Sequence, residues 1–148
     1  MHTIVEKLQI ACELLEAALV HYYDEKPAYF ASLHLAGGAD VLLGAYVEFK
    51  QGGVPQFDQF KKLGVKFSEF LEAPATEQQI GEAMNRGRNG VKHMDSASND
   101  TLFIYAKREA KDMLTRAVYN YYALMETYEL PETPLIRRFN LDQAALGE

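Results

Sequence analysis

The chain has 148 residues, of which 48% are hydrophobic and 24% charged, as is ordinary for one globular domain with a sizeable core. Its formal net charge of −6 argues against broad, non-specific binding of nucleic acid, because such binders usually carry a basic excess. Cys12 is the single cysteine, so no internal disulfide can form, which fits a reducing cytoplasm. We also expect no signal peptide and no membrane-spanning segment, since no suitable apolar run is apparent.

The first helix is predicted over residues 3–24. Apolar side chains recur there at alternating spacings of four and three residues, which is the period of an amphipathic helix. Thr3 and Glu6 have the spacing of a capping box at its start. Cys12 lies on the apolar stripe, and we interpret it as a small core residue rather than a nucleophile.

The second helix is predicted from Pro27 to about Gln51, and it is apolar nearly all round. Its three glycines, Gly37, Gly38 and Gly44, cost helix propensity, so we expect another backbone to approach closely there. A helix of this kind is either buried in its own monomer or shared with a second subunit. We predict a homodimer, with this helix or the motif helix described below near the axis.

The rest of the chain is also helical by pattern. A shorter helix is expected at residues 57–72, and Thr76 with Gln79 fits a capping box for the next one, which should fray near Gly90. Residues 101–128 form the longest periodic segment, with Phe103 at the start of its apolar stripe. The fold class is therefore all-α: a single-domain helical bundle over residues 1–148, with four long helices and a shorter one. About 131–148 should form a loosely docked tail.

One stretch in and after the fourth predicted helix concentrates the polar chemistry, between Asn85 and Asp95. Arg88 could hold a phosphate through charge-assisted, bidentate hydrogen bonds. His93 could transfer a proton near neutral pH, and Asn89 could position a substrate hydroxyl. These residue types together suit the cleavage of a ribose–phosphate chain. As a structural alternative, His93 is a helix-terminal histidine that interacts with backbone carbonyls.

The pattern Arg88-Asn89-x-x-x-His93 resembles the R-x(4–6)-H signature of the HEPN family (higher eukaryotes and prokaryotes nucleotide-binding domains). The small-residue-rich segment 29–43 resembles the second helix of that family, and the resemblance covers roughly residues 1–128. It implies a small helical domain that acts as a dimer and, in many members, as a metal-independent ribonuclease. It further implies Arg88, Asn89 and His93 as catalytic residues, with a role in toxin–antitoxin or host-defence systems.

Which arginine acts is left open by the sequence. On a regular helix Arg86 and His93 face the same way and Arg88 lies well round the side, whereas the family pattern favours Arg88. Lys92 is expected to be an auxiliary phosphate contact or a solvated charge. Asp40, an acid on an apolar helix, is a candidate substrate-binding residue, and we expect a motif arginine as its partner if it is buried.

The remaining histidines and acids suggest no metal site. His34 is expected to be a core histidine, and Asp95 could orient His93 or be a loop acid. Paired Glu-x-x-His motifs and zinc-type Cys/His spacings are both missing from the sequence, so neither a metal nor another cofactor is predicted.

Three functions therefore remain as expectations from the sequence. The first is a cytoplasmic endoribonuclease that acts on RNA, with an antitoxin-like protein as a possible partner. The second is a non-catalytic module that binds a nucleotide or a protein, and the third is a purely structural helical dimer.

Overall fold

The structure is a computed structural model, and it describes residues 3–146. These residues form six α-helices and no strand. The helix bounds are α1 Lys7–Tyr23, α2 Tyr29–Ala45, α3 Gln56–Phe70, α4 Glu77–Lys92, α5 Ala106–Tyr128 and α6 Pro134–Ala145. A π-helical turn, Tyr46–Lys50, continues α2. The all-α prediction is confirmed for the described residues.

The core forms where α2 packs against both α1 and α5. Small residues on α2, such as Ala36 and Ala39, are fully buried and let the neighbouring helices come close. Ser32 is also buried, and its hydroxyl donates to the carbonyl oxygen of Ala18 on α1 over 2.8 Å. Larger side chains fill the space between the helices: Leu15, Leu19, Leu33, Leu43, Leu114, Tyr121 and Leu124.

The glycines of α2 are all accounted for by contacts within this chain. A Cβ at Gly37 would lie 2.9 Å from the Cδ atom of Arg88, and one at Gly44 would lie 3.3 Å from Pro55. Gly38 faces Leu14 at 3.3 Å. The close approach expected at these glycines is therefore made by side chains of the same chain rather than by another backbone, and homodimerisation stays a prediction.

Among the described residues, one helix is long and apolar enough to cross a bilayer, namely Tyr29–Lys50. The prediction that no membrane-spanning segment exists referred to uncharged apolar runs, and Asp40 interrupts this one, so it stays a prediction. Half of the 18-residue apolar stretch of this helix is buried inside the protein, and the helix contains the buried Asp40. Both features are typical of the core helix of a soluble protein.

The helix α3 is less well covered than the others. None of its 15 residues is buried, and Leu63, Phe67 and Phe70 are 59%, 63% and 81% exposed. It packs against α4 and, to a smaller extent, against α5. Most of its apolar side chains therefore lie at the surface.

Helix ends differ from prediction at several points. The capping box of Thr76 and Gln79 on α4 is confirmed, but α1 begins at Lys7 with no side-chain cap, so the box at Thr3 and Glu6 does not form. The longest helix starts at Ala106 rather than near residue 101. Phe103 therefore lies outside it and is 93% exposed.

The segment beyond residue 131, expected to be a loose tail, contains a 12-residue helix, α6. Thr133 caps it by accepting a hydrogen bond from the Ile136 amide at 3.3 Å, and Pro134 lies in its first turn. Ile136 and Phe139 are buried, 2% and 0% exposed. Because both side chains join the core, α6 is an integral part of the bundle.

Candidate functional site at the end of helix α4

The motif lies on a regular α-helix that continues to Lys92. His93 is its C-cap, with φ −125° and ψ 142°, and its amide donates to the carbonyl oxygen of Asn89 at 3.0 Å. Gly87 and Gly90 do not interrupt the helix. They make room for Glu109 and Leu102, because a Cβ at either glycine would lie less than 3 Å from those side chains. The regular-helix geometry therefore applies from Asn85 to Lys92, and His93 is the first residue outside it.

Three of the predicted site residues share one exposed side of α4. Arg86, Asn89 and His93 are all solvent-exposed, and their spacing of three and then four residues stacks them on successive turns. Lys92 is exposed as well. Within residues 3–146 neither Arg86 nor Lys92 forms an ion pair, so both cations are available to a ligand. We refer to Arg86, Asn89 and His93 as the exposed stripe.

Arg88 points to a different side of the helix, towards α2. Its side chain is half-buried, and its aliphatic part lies against the backbone of Gly37. Its charge is close enough to Asp40 to lower the pKa of that carboxyl group. The structure thus brings Arg88 together with Asp40, and it brings Arg86 together with Asn89 and His93.

The buried acid of α2 is held by two residues of α5. The Nη2 atom of Arg116 donates to Oδ2 of Asp40 at 2.6 Å, and Nδ2 of Asn120 donates to Oδ1 at 3.0 Å. The Nη1 atom of Arg116 also donates to Oδ1 of Asn85 on α4 at 2.8 Å. We call these four residues the polar network. It links the three helices α2, α4 and α5 one turn before Arg88.

Burial sets the electrostatics of the polar network. Asp40 and Arg116 are each 4% exposed, and loss of hydration raises the pKa of Asp40 above its ordinary value. The Arg116 guanidinium, the Asn120 amide and Arg88 all oppose this rise. The Arg116 guanidinium also lies over the Phe57 ring, 4.4 Å from its centroid. Its Nε atom is buried and has no hydrogen-bond partner.

A cavity of about 330 Å³ lies over the polar network. All four network residues and Arg88 line it. Its wall is completed by α2 and by the segment that leads into α3: Val41, Gly44, Ala45, Glu48, Pro55, Phe57 and Asp58. The cavity lining therefore combines the half-buried Arg88, the side-chain amides of Asn85 and Asn120, and the buried ion pair of Asp40 and Arg116.

The expected partner of Asp40 was a motif arginine, and this was wrong in detail. The residue that bonds it is Arg116, which the sequence argument missed, although Arg88 does contribute at longer range. The spacing of Arg116 and Asn120, two polar residues four apart on the apolar stripe of α5, was the available signal. His34, expected in the core, is exposed, and Asp95 is exposed and makes no hydrogen bond to His93.

Comparisons with protein-family models, with curated proteins and with solved structures found no match to this chain. Within residues 3–146, no group of three or more His, Cys, Asp or Glu side chains is placed to hold a metal ion. The function has therefore to be argued from the geometry of the exposed stripe, Arg88 and the polar network.

Proposed function

We propose that this chain is a HEPN-like domain that acts as a metal-independent endoribonuclease, working in the cytoplasm as a toxin or defence protein. The observation that carries the proposal is the exposed stripe on α4, where a histidine, an amide and an arginine lie on one side of a regular helix. Arg88 and Lys92 lie on adjacent sides of the same two turns. Within two turns of one helix, these residue types can transfer a proton, orient the substrate and bind a phosphate.

The proposed reaction is attack of the ribose 2′-hydroxyl on the adjacent phosphorus. His93 takes the 2′-hydroxyl proton, the O2′–P bond forms and the P–O5′ bond breaks. The O5′ leaving group takes a proton, supplied by the His93 of a second subunit. Arg88 or Arg86 balances the charge on the phosphate, and Asn89 orients the reacting hydroxyl. The products are a 2′,3′-cyclic phosphate and a free 5′-hydroxyl, and no metal takes part.

The location of the stripe determines how a phosphate would be held. The C-terminal end of a helix carries a partial negative charge, which favours cations but gives no amide donors to an anion. Side chains would therefore supply all of the phosphate contacts. With three cations in reach, the logarithm of RNA affinity should fall against the logarithm of salt with a slope of about −2. The acidic net charge of −6 further favours a selective or partner-delivered RNA, such as one governed by an antitoxin-like protein.

The proposal includes a homodimer with α2 or the motif helix α4 near its axis, because the mechanism needs the His93 side chains of both subunits at one site. Sedimentation should give a dimer, and a monomeric wild type at about 100 μM would rule the dimer out.

RNA cleavage in EDTA tests the catalytic proposal. Wild-type protein should cut single-stranded RNA, and His93→Ala should lower the rate by about 10²–10⁴, the usual loss on removal of an acid–base group. His34→Ala is the matched control, because His34 is also an exposed histidine on a helix, and it should cleave as wild type does. Arg86→Ala and Arg88→Ala then show which arginine contacts the phosphate. A pure wild-type protein that cleaves no RNA would end the proposal.

A second candidate function is a non-catalytic module that binds a nucleotide or a protein partner. The observation that favours it is the direction of Arg88, which lies on the cavity beside Asp40 rather than on the side of His93. In that case the arginine would bind a phosphate and no bond would break. Binding without cleavage in the same EDTA assay would select this function over the first.

A further inference from the structure

We propose that the cavity above the polar network binds a small phosphomonoester, a nucleoside monophosphate in size, with Arg88 as its main phosphate contact. The proposal deepens the second candidate function, since it gives the binding module a site and a ligand class. It differs from RNA binding on the exposed stripe, because the cavity lies on the α2 side of α4.

The acids and acceptor atoms that line the cavity have little hydrogen-bonding capacity left. Both oxygens of Asp40 already accept hydrogen bonds, and the Asn120 oxygen accepts one from the Gln56 amide at 3.0 Å. Asp58 forms an ion pair with Lys61 at 2.8 Å. The acids and acceptors inside the cavity are therefore already engaged. The acid without a partner there, Glu48, is exposed at the rim.

The remaining capacity consists of donors. Arg88 makes no hydrogen bond or ion pair to any of residues 3–146, so its guanidinium has all of its N–H groups free. The amide nitrogen of Asn85 is likewise unused, and the Nε–H of Arg116 is buried without a partner. The Arg88 guanidinium and the Asn85 amide therefore line the cavity as free donors, one of them on a half-buried cation, and they call for a ligand rich in acceptor oxygens and negative charge.

The size of the cavity narrows the ligand class. At about 330 Å³ it is larger than an inorganic phosphate needs and lies at the lower end of the range for small-molecule sites. The wall beyond the donors contains Val41, Gly44 and Pro55, which offer apolar contact to an organic group. A phosphate on Arg88 with a ring system against this wall would use both parts of the cavity.

Gly37 gives Arg88 the room to reach the cavity. An alanine Cβ there would lie 2.9 Å from the Cδ atom of Arg88 and 3.3 Å from its Nε atom. Such a methyl group would push the arginine out of its position, while alanine favours the helix itself. Gly38, the next residue, faces Leu14 on α1 instead. The two glycines therefore make a matched pair for testing the position of Arg88 without changing any charge.

The test is calorimetric titration of the full chain in EDTA with a nucleoside 5′-monophosphate, the corresponding nucleoside, inorganic phosphate and malonate. The monophosphate should bind, the nucleoside should not, and malonate should bind at least tenfold more weakly. Arg88→Gln and Gly37→Ala should each lower the affinity for the monophosphate at least tenfold. Gly38→Ala should keep it within twofold, as should Lys107→Gln, which removes an exposed cation of α5 outside the cavity. Circular dichroism confirms that every variant is folded.

Several results would overturn the proposal. These are no heat of binding with any phosphate, equal binding of nucleoside and monophosphate, malonate binding as tightly as the monophosphate, or a folded Arg88→Gln variant with wild-type affinity. Ribonuclease activity is measured separately, so the two ideas can fail independently. Binding without RNA cleavage would remove the ribonuclease proposal alone, and cleavage without monophosphate binding would remove this one alone.

Discussion

The buried pair Asp40–Arg116 offers the strongest test of how the bundle is stabilised. Asp40→Asn keeps the size of the side chain but removes its charge, which leaves the Arg116 guanidinium, 5% exposed, without a counter-ion. It also places an amide N–H₂ group opposite either the Nη2 atom of Arg116 or the Nδ2 atom of Asn120, both of which are donors. Breaking a buried ion pair on one side costs about 3–5 kcal/mol. That is a large share of the roughly 5–15 kcal/mol that holds a domain of this kind folded.

The assay is urea unfolding followed by circular dichroism, with Asp58→Asn as the control. Asp58 also pairs with a cation at short distance, Lys61 at 2.8 Å, but both side chains are partly exposed, 35% for Asp58 and 22% for Lys61. Its removal should cost less than about 1 kcal/mol. The double variant Asp40→Leu with Arg116→Met should recover most of the loss, because no unpaired charge remains. Equal midpoints for Asp40→Asn and Asp58→Asn would refute the reasoning.

Three further predictions concern stability. Phe139→Ala should destabilise the fold by about 3–5 kcal/mol in urea unfolding, since α6 buries this ring completely; a loss below about 1 kcal/mol would contradict an integral α6. Glu129→Gly should raise stability by about 1 kcal/mol, because Glu129 caps α5 with φ 52°, a left-handed conformation that glycine adopts without strain; a lower melting temperature would contradict this. Burial raises the pKa of Tyr121 and that of Tyr122 to about 12, so the folded state holds both protons more tightly than the unfolded state does. Their stabilising contribution is present below pH 10 and is lost as the pH rises towards 12; the part of the phenolate absorbance that Tyr121→Phe and Tyr122→Phe remove should appear together with the loss of helix, and its appearance near pH 10 in a folded chain would contradict the prediction.

The sequence was sufficient for features that depend on neighbours along the chain. The capping box of Thr76 and Gln79 needs only two side chains and the first turn of α4 and is confirmed, although the same spacing at Thr3 and Glu6 forms no box. The burial of Asp40 was weighed because an acid on an apolar helix needs a partner. The partner itself could not be deduced, since Arg116 is 76 residues away and periodicity alone places it among apolar neighbours.

Other differences between the prediction and the structure arose where one sequence pattern is compatible with two local structures. Proline both ends helices and begins them, and in the segment expected to be a loosely docked tail Pro134 lies in the first turn of α6, after the Thr133 cap. The apolar period of α5 extends to Phe103, but the helix begins three residues later. On α4 the sequence left open which of Arg86 and Arg88 acts with His93. The helix is regular up to Lys92 and puts Arg86 on the same side as Asn89, while the choice of the acting arginine stays a prediction.

The measurement that tests the proposed function most directly is the chemistry of the RNA ends after incubation in EDTA. If the His93 mechanism is correct, wild-type protein leaves 2′,3′-cyclic phosphate and 5′-hydroxyl ends, and His93→Ala leaves the RNA intact while His34→Ala cuts it normally. Fragments with 5′-phosphate and 3′-hydroxyl ends, or cleavage by His93→Ala at the wild-type rate, would contradict the account.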